Sequence, residues 1–127
     1  MLSRMAEITV NLSPQVVNYV GIPYGDDFSS TLNVTETIAG VPTPFDWTGA
    51  TVSAHIVASL KSKDEPSLLT LTDVQGAGGA LTISATKLQL AALGVGSWYH
   101  NIEITKGGMT RTYFCGVFQI VVRGPHA

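Results

Sequence analysis

The stretch that decides the fold is residues 96–122, GSWYHNIEITKGGMTRTYFCGVFQIVV. Its first half alternates with a period of two, as expected for a strand that buries one face. One side of this strand carries Trp98, His100, Ile102 and Ile104. Lys106-Gly107-Gly108 is a turn sequence, and a second alternating run follows from about Thr110 to Val122. The stretch therefore predicts a long antiparallel hairpin.

The second strand of this hairpin is apolar on both of its faces. One face carries Phe114, Gly116, Phe118, Ile120 and Val122, and the other carries Tyr113, Cys115, Val117, Gln119 and Val121. A strand face in contact with water is normally polar, so a second apolar face indicates a covered surface. We expect a partner chain or the N-terminal segment to cover it, with Tyr113, Val117 and Val121 in the interface. Trp47, in a turn, is a further candidate interface residue.

Further alternating runs extend on the N-terminal side of this hairpin. An N-terminal strand places Ile8, Val10 and Leu12 on one side and ends at Pro14. Three more groups of strand residues begin near Asp27, Val52 and Leu69, and a short strand holds Leu81 and Ile83. Residues 38–44 contain Gly40, Pro42 and Pro44 and predict a loop.

A single short helix is predicted near residues 85–93. Ser84 is a suitable N-cap, Lys87 to Leu93 are good helix formers, and Gly94 provides a stop. The complete pattern predicts an all-β, Ig-like, two-sheet antiparallel β-sandwich of about seven to eight strands. Its predicted divisions are an N-terminal arm or strand (1–20), the sandwich (21–123) and a C-terminal tail (124–127).

Composition restricts the classes of function. The 127 residues are 45% hydrophobic and 13% charged, with a net charge of -2, which disfavours nucleic-acid binding because no basic field is available. The one cysteine, Cys115, cannot form an intrachain disulfide. The first residues do not resemble a signal peptide, and no run approaches the length of a membrane span. We therefore expect synthesis in a cytoplasm and no membrane partner.

No set of residues predicts catalysis. Nucleophile motifs, phosphate loops and Cys-x-x-Cys are absent from the sequence. His55 is interpreted as a solvated strand histidine, His100 as a core histidine and His126 as part of the tail. Asp26-Asp27 lacks the further oxygens of a calcium loop and is interpreted as a turn. We expect no catalytic, cofactor-binding or metal-binding residues, and no enzyme activity.

The order of several motifs resembles a known family. Gly25-Asp26-Asp27-Phe28 enters one strand, and residues 46–52, DWTGATV, enter the next; residues 81–84, LTIS, precede the helix, and residues 96–104, GSWYHNIEI, follow it. This ordered set, over roughly residues 20 to 123, is similar to the small Ig-like β-sandwich domains of tailed bacteriophages, such as the N-terminal domain of baseplate upper proteins. Trp47, the long 41–44 loop and the strand at 6–12 depart from that pattern.

The resemblance implies a structural protein of the virion that attaches other proteins in the tail or baseplate. Capsid decoration and the head–tail junction are alternative positions. The implied partners are other virion proteins and further copies of the chain, and Ile8, Val10 and Leu12 of the arm are expected to pair with a neighbouring strand. A second alternative is a carbohydrate-binding module for host attachment, which depends on Trp47 and Tyr24.

Overall fold

The computed structural model describes residues 14–61 and 65–122 of the chain. They form eleven strand segments and one α-helix, listed in chain order: β1 (Gln15–Val16), β2 (Tyr19–Pro23), β3 (Phe28–Asn33), β4 (Thr35–Ile38), β5 (Val41–Pro44), β6 (Thr51–Val57), β7 (Leu69–Thr70), β8 (Thr72–Gln75), β9 (Ala80–Ala85), α1 (Lys87–Leu93), β10 (Gly96–Lys106) and β11 (Met109–Val121). The all-β class is confirmed. More segments are present than the seven to eight expected, because β1, β2, β4 and β5 lie outside the strands predicted from alternation and one predicted strand is divided into β7 and β8.

The largest sheet is built around the predicted C-terminal hairpin. Its strand order is β1-β11-β10-β6-β7, and β2 also pairs with β11. Lys106 pairs with Met109 across a turn in which Gly107 and Gly108 both have positive φ, the conformation that a two-residue hairpin turn requires. The register of β10 and β11 shifts once, between Ile102 and Glu103, so that Tyr113 is an extra residue in β11.

A smaller sheet faces the large one. It has the order β3-β9-β8, and all of its pairs are antiparallel. The chain passes from the large sheet to the small one at Leu71, which is 1% exposed and donates its N–H to Ala54 O. The predicted Leu69–Leu71 strand is therefore divided into β7 and β8, since each half pairs in a different sheet.

One apolar core is shared by the two sheets. It includes Ile56, Ile102 and Phe118 from the large sheet and Phe28, Leu81 and Ile83 from the small one. The even-numbered residues of β10 and the odd-numbered residues of β9 are the buried ones, as period-two alternation predicts. Phe28 and Phe118 meet edge to face with ring centroids 5.1 Å apart.

Residues 38–44, predicted to be a loop, belong to a hairpin of β4 and β5. The turn consists of Ala39 and Gly40, both with positive φ, as in a two-residue hairpin turn. In such a hairpin the pairs flanking the turn alternate between hydrogen-bonded and non-hydrogen-bonded, which places Pro42 and Pro44 at the non-hydrogen-bonded positions. Their missing N–H groups therefore face outward, and prolines are compatible with this edge strand.

The predicted helix is present, but its cap differs from the prediction. Thr86 is the N-cap: its hydroxyl accepts from Gln89 N–H, and the Gln89 side chain accepts from Thr86 N–H. Ser84, the expected cap, is inside β9 and pairs with Ser29 and Thr72. The strand thus continues two residues further than the helix-cap rule alone suggested, and a capping box begins the helix there.

The N-terminal part of the described chain extends the large sheet. Within the segment predicted as an arm or strand, residues 15–16 form β1 and residues 19–20 begin β2, and both strands pair with β11 in parallel. Between them the backbone crosses close to Gly116, where an added Cβ would lie 2.1 Å from Val17 O. Asn18 Oδ1 accepts a hydrogen bond from the backbone N–H of Val117. This side chain replaces the backbone acceptor that the irregularity removes from the strand pairing. The predicted strand at Ile8–Leu12 lies outside the described residues.

Candidate interaction surfaces

The outer face of the large sheet carries a strip of apolar side chains. In β11 the residues that alternate with the buried Phe118 and Ile120 point away from the core, and paired residues of neighbouring strands share that face. We call the set the outer strip: Val16, Val20, Tyr99, Cys115, Val117 and Val121. Val16 and Val20 are 65% and 63% exposed. The strip thus leaves apolar side chains in contact with water.

Among the described residues, the edge of the sheet beside the outer strip has no charged side chain. Residues 14–25 and residues 112–122 contain no Asp, Glu, Lys or Arg. Among the described residues, β1 and β2 have β11 as their only strand partner, so they form this edge. Monomeric proteins usually protect such edges with charged side chains, especially lysine. Within residues 14–25 the protection consists of Pro14, Pro23, the irregularity at residues 17–18 and the register shift of β2 between Tyr19 and Ile22.

The predicted interface residues are divided by the structure. Val117 and Val121 lie on the outer strip, half-buried. Tyr113 was expected beside them, and that placement is wrong: its ring packs on the core, 5.7 Å from the ring of Phe45. The bulge is the reason, because one extra residue in β11 reverses the alternation at this point. Ile8, Val10 and Leu12 lie outside the described residues.

Trp47, the remaining predicted interface residue, also turns toward the core. Its ring is half-buried and lies 4.7 Å from the ring of Phe45, centroid to centroid. Asp46 O accepts from Lys106 at the turn end of β11, whereas Tyr24 N–H donates to Val121 O at the opposite end. Trp47 and Tyr24, which the sequence suggested as a sugar-binding pair, therefore do not form one platform.

His100 is a core residue, as predicted. Its side chain is fully buried, and Nε2 donates a hydrogen bond to Val17 O, while Nδ1 has no partner in the described structure. Burial lowers the pKa of His100 below its usual value, and the hydrogen bond to Val17 offsets only part of this effect. Burial therefore favours the neutral form of His100, and its hydrogen bond ties residue 17 to the sheet.

His55 lies among hydroxyl groups on the outer face of β6. Ser53 Oγ contacts Nε2, and Ser67 Oγ lies 2.9 Å from Nδ1. A serine–histidine contact alone does not form a hydrolase site, which also needs a group that orients the histidine and donors for an oxyanion. No cluster of three or more His, Cys, Asp or Glu side chains with metal-binding geometry occurs within residues 14–61 and 65–122.

A small cleft lies between the β4–β5 hairpin and the turn that joins β10 to β11. Its volume is about 180 Å³, and its lining consists of Glu36, Phe45, Ile104, Lys106, Met109, Arg111 and Tyr113. Sequence reasoning did not find it, because residues 38–44 were predicted to be a loop and the bulge at Tyr113 was not anticipated. Arg111 stacks on Tyr113 and donates to its hydroxyl at 3.2 Å, which fixes one cation in the wall.

Lys106 provides the second cation of the cleft. Its Nζ donates to Asp46 O at 2.6 Å and lies 4.8 Å from the centroid of the Phe45 ring. Hydrogen bonds from Thr48, with a smaller contribution from Lys106, hold the pKa of Asp46 below its usual value. Both cations are thereby positioned by contacts other than an ion pair.

Comparisons with known proteins add no relative. No protein-family model matches the chain, and no curated protein is significantly similar to it. In the part of the chain that the structure describes, no helix is long and apolar enough to cross a membrane.

Proposed function

We propose that the domain is an Ig-like β-sandwich. In that fold, strands B, E and D lie in one sheet and C, F and G in the other. Counted along this chain, β3, β9 and β8 occupy the B, E and D positions, and β6, β10 and β11 occupy C, F and G. The β4–β5 hairpin is then an insertion between B and C, and α1 lies between E and F.

We further propose that the protein is a non-enzymatic structural component of a bacteriophage virion, made in the host cytoplasm. It acts as a protein–protein attachment module in the tail or baseplate. The observation that carries this proposal is the outer strip beside an edge without charge, a combination suited to association with further copies or other virion proteins. The order of sequence motifs, which resembles phage Ig-like domains, supplies the biological context.

Burial of the outer strip contributes to the driving force for association. Removing one valine side chain from water contributes on the order of 1.5 kcal/mol at most. Val16 and Val20 are largely exposed, and Val117 and Val121 retain partial exposure. The four together offset a substantial part of the entropy that association costs.

The test uses purified phage particles. Heads and tails are separated by gentle dissociation, and each fraction is searched for the chain by mass spectrometry; the chain is expected in the tail fraction. Recovery from heads would move the protein to the capsid or head–tail junction and overturn the tail assignment. Absence from intact particles would overturn the virion proposal itself.

A pair of matched variants tests the surface. Val20→Lys places a charge on the outer strip and is expected to reduce incorporation into particles at least tenfold. Val74→Lys is the control, because Val74 is 60% exposed, close to the 63% of Val20, but lies on β8 of the small sheet. Equal incorporation of the two variants would show that the outer strip is not the attachment surface.

A further inference from the structure

The two walls of the cleft carry side chains of opposite charge. Lys106 and Arg111 stand on the β10–β11 side and Glu36 on the hairpin side, and the Asp46 carboxylate acts electrostatically on Lys106 from beside the cleft. No carboxylate of the described residues forms an ion pair with either cation; their contacts are Asp46 O, the Phe45 ring and Tyr113. Arg111 has Tyr113 and no carboxylate as its contact among the described residues, so a group brought from outside is favoured beside Arg111 if it is anionic.

The size of the cleft selects the kind of ligand. Sites that enclose an entire small molecule usually have volumes of roughly 300–1,000 Å³. About 180 Å³ is smaller than this range and suits one or two side chains of a larger partner. The rim favours a protein as well, since Met109 is 65% exposed and Ile38 and Val41, at the tip of the hairpin, are largely exposed too.

The main chain of the hairpin adds a second mode of contact. Thr35 and Thr37 occupy non-hydrogen-bonded positions of the β4–β5 ladder, so their N–H and C=O groups face outward. The opposite edge lacks two donors, because Pro42 and Pro44 hold the corresponding positions of β5. The open edge belongs to the strand that contributes Glu36 to the cleft, and an extended segment is the type of partner that uses such an edge.

We propose that the cleft receives an acidic side chain from an extended, otherwise apolar segment of a neighbouring virion protein. The carboxylate binds between Arg111 and Lys106, where guanidinium and ammonium groups give charge-assisted hydrogen bonds. Glu36 on the facing wall repels the carboxylate and so directs it to the cationic side. This inference rests on the proposed attachment function for the identity of the partner, although the binding chemistry itself does not.

The probe is a synthetic pentapeptide, Thr-Val-Glu-Val-Thr with acetylated and amidated ends, titrated into ¹⁵N-labelled full-length protein. Shift changes are expected at residues 106–113 and at Glu36, with millimolar affinity. The peptide with glutamine in place of glutamate isolates the charge, and its affinity is expected to be at least fivefold lower. Equal shifts from the two peptides, or no shift from either, would overturn the proposal.

Variants of the protein identify the cation. Arg111→Gln is expected to reduce affinity for the glutamate peptide at least fivefold, whereas Lys61→Gln, which removes a surface charge outside the cleft lining, is expected to leave it unchanged. Dispersed amide spectra of both variants establish that they are folded. An equal loss of peptide affinity in the two variants would indicate a general effect of net charge and would overturn the assignment of the binding site to the cleft.

A third ligand separates a protein partner from a sugar. Glucuronate carries the same carboxylate on a saccharide ring, and binding of glucuronate at residues 106–113 without binding of the peptide would overturn the protein-segment assignment. Peptide binding is measured without phage particles, so its result does not depend on whether the protein belongs to a virion. If the protein binds the peptide but is absent from virions, the inference about the cleft stands and the proposed virion function is overturned.

Discussion

Gly116 is the residue at which the N-terminal strands depend on the absence of a side chain. Its Cβ would lie 2.1 Å from Val17 O and 2.7 Å from Asn18 Oδ1, so Gly116→Ala must push residues 17 and 18 away from β11. We expect a loss of about 1–3 kcal/mol in the free energy of unfolding, measured by urea denaturation.

Gly76→Ala provides the comparison for Gly116→Ala. At Gly76 the nearest atom to an added Cβ is Ala80 Cβ at 3.5 Å, and φ is -130°, which alanine adopts readily. The smaller unfolded-state entropy of alanine then makes the change neutral or slightly stabilising. A similar loss in the free energy of unfolding for both variants would contradict the close approach of Val17 to Gly116.

His100 makes stability depend on pH below neutrality. Burial lowers its pKa in the folded protein, so as pH falls below about 6.5 the unfolded chain binds a proton that the folded protein does not. Stability is therefore present above that pH and is lost as pH decreases toward the folded pKa, by up to about 1.4 kcal/mol per pH unit. Urea denaturation between pH 7.5 and 5.5 measures the slope.

His100→Gln removes the titrating group while keeping a side chain that hydrogen-bonds. The variant is expected to be less stable at pH 7.5 but to lose less stability than the wild type as pH falls to 5.5. The two proteins differ at this one position, so the contributions of the groups that they share cancel in the comparison. Parallel pH profiles for the two proteins would assign the slope to groups other than His100.

Substitutions at Ser84 and Thr86 test which residue is the N-cap of α1. Ser84 is the cap predicted from the sequence, and Thr86 is the cap in the structure. Thr86→Ala removes the acceptor for Gln89 N–H and half of the capping box, so we expect a loss of about 1 kcal/mol in thermal or urea unfolding. Ser84→Ala, inside β9, is expected to cost less than about 0.5 kcal/mol. The reverse order would mean that the helix begins earlier than Thr86.

How far each element could be predicted depends on how local its cause is. The β10–β11 hairpin follows from alternation and a Gly-Gly turn, both of which are visible within the stretch itself. The β4–β5 hairpin was missed because Pro42 and Pro44 suggest a loop, and only the register shows that their positions need no donor. The division at Leu71 depends on which sheet each neighbour joins, which is a non-local property.

The candidate surfaces show the same limit. Val117 and Val121 were placed correctly on the outer face by parity, but Tyr113 was not, because a bulge inserts one residue without a distinctive sequence. Val16 and Val20 were assigned to an arm, since their parallel pairing with β11 joins distant parts of the chain. The cleft needed three separate elements to be positioned together and was beyond prediction.

At the scale of the whole molecule, the two surfaces should respond differently to salt. The outer strip is uncharged, and apolar association is not weakened by screening. The cleft acts through Lys106 and Arg111, which are only half-buried, so its binding of a carboxylate decreases as the Debye length falls from about 14 Å at 50 mM salt to about 4 Å at 500 mM. Self-association and peptide binding are therefore separable in one protein sample.

Sedimentation equilibrium at 50 and 500 mM sodium chloride measures self-association through the outer strip. The glutamate-peptide titration under the same conditions measures the affinity of the cleft for a carboxylate. We expect the self-association constant of the chain to change by less than twofold, while affinity for the peptide falls severalfold. Val20→Lys should abolish self-association without altering peptide binding, because Val20 and the cleft lie beside opposite ends of β11. Self-association that weakens with salt as strongly as peptide binding would show that charged groups, rather than the outer strip, hold the copies together.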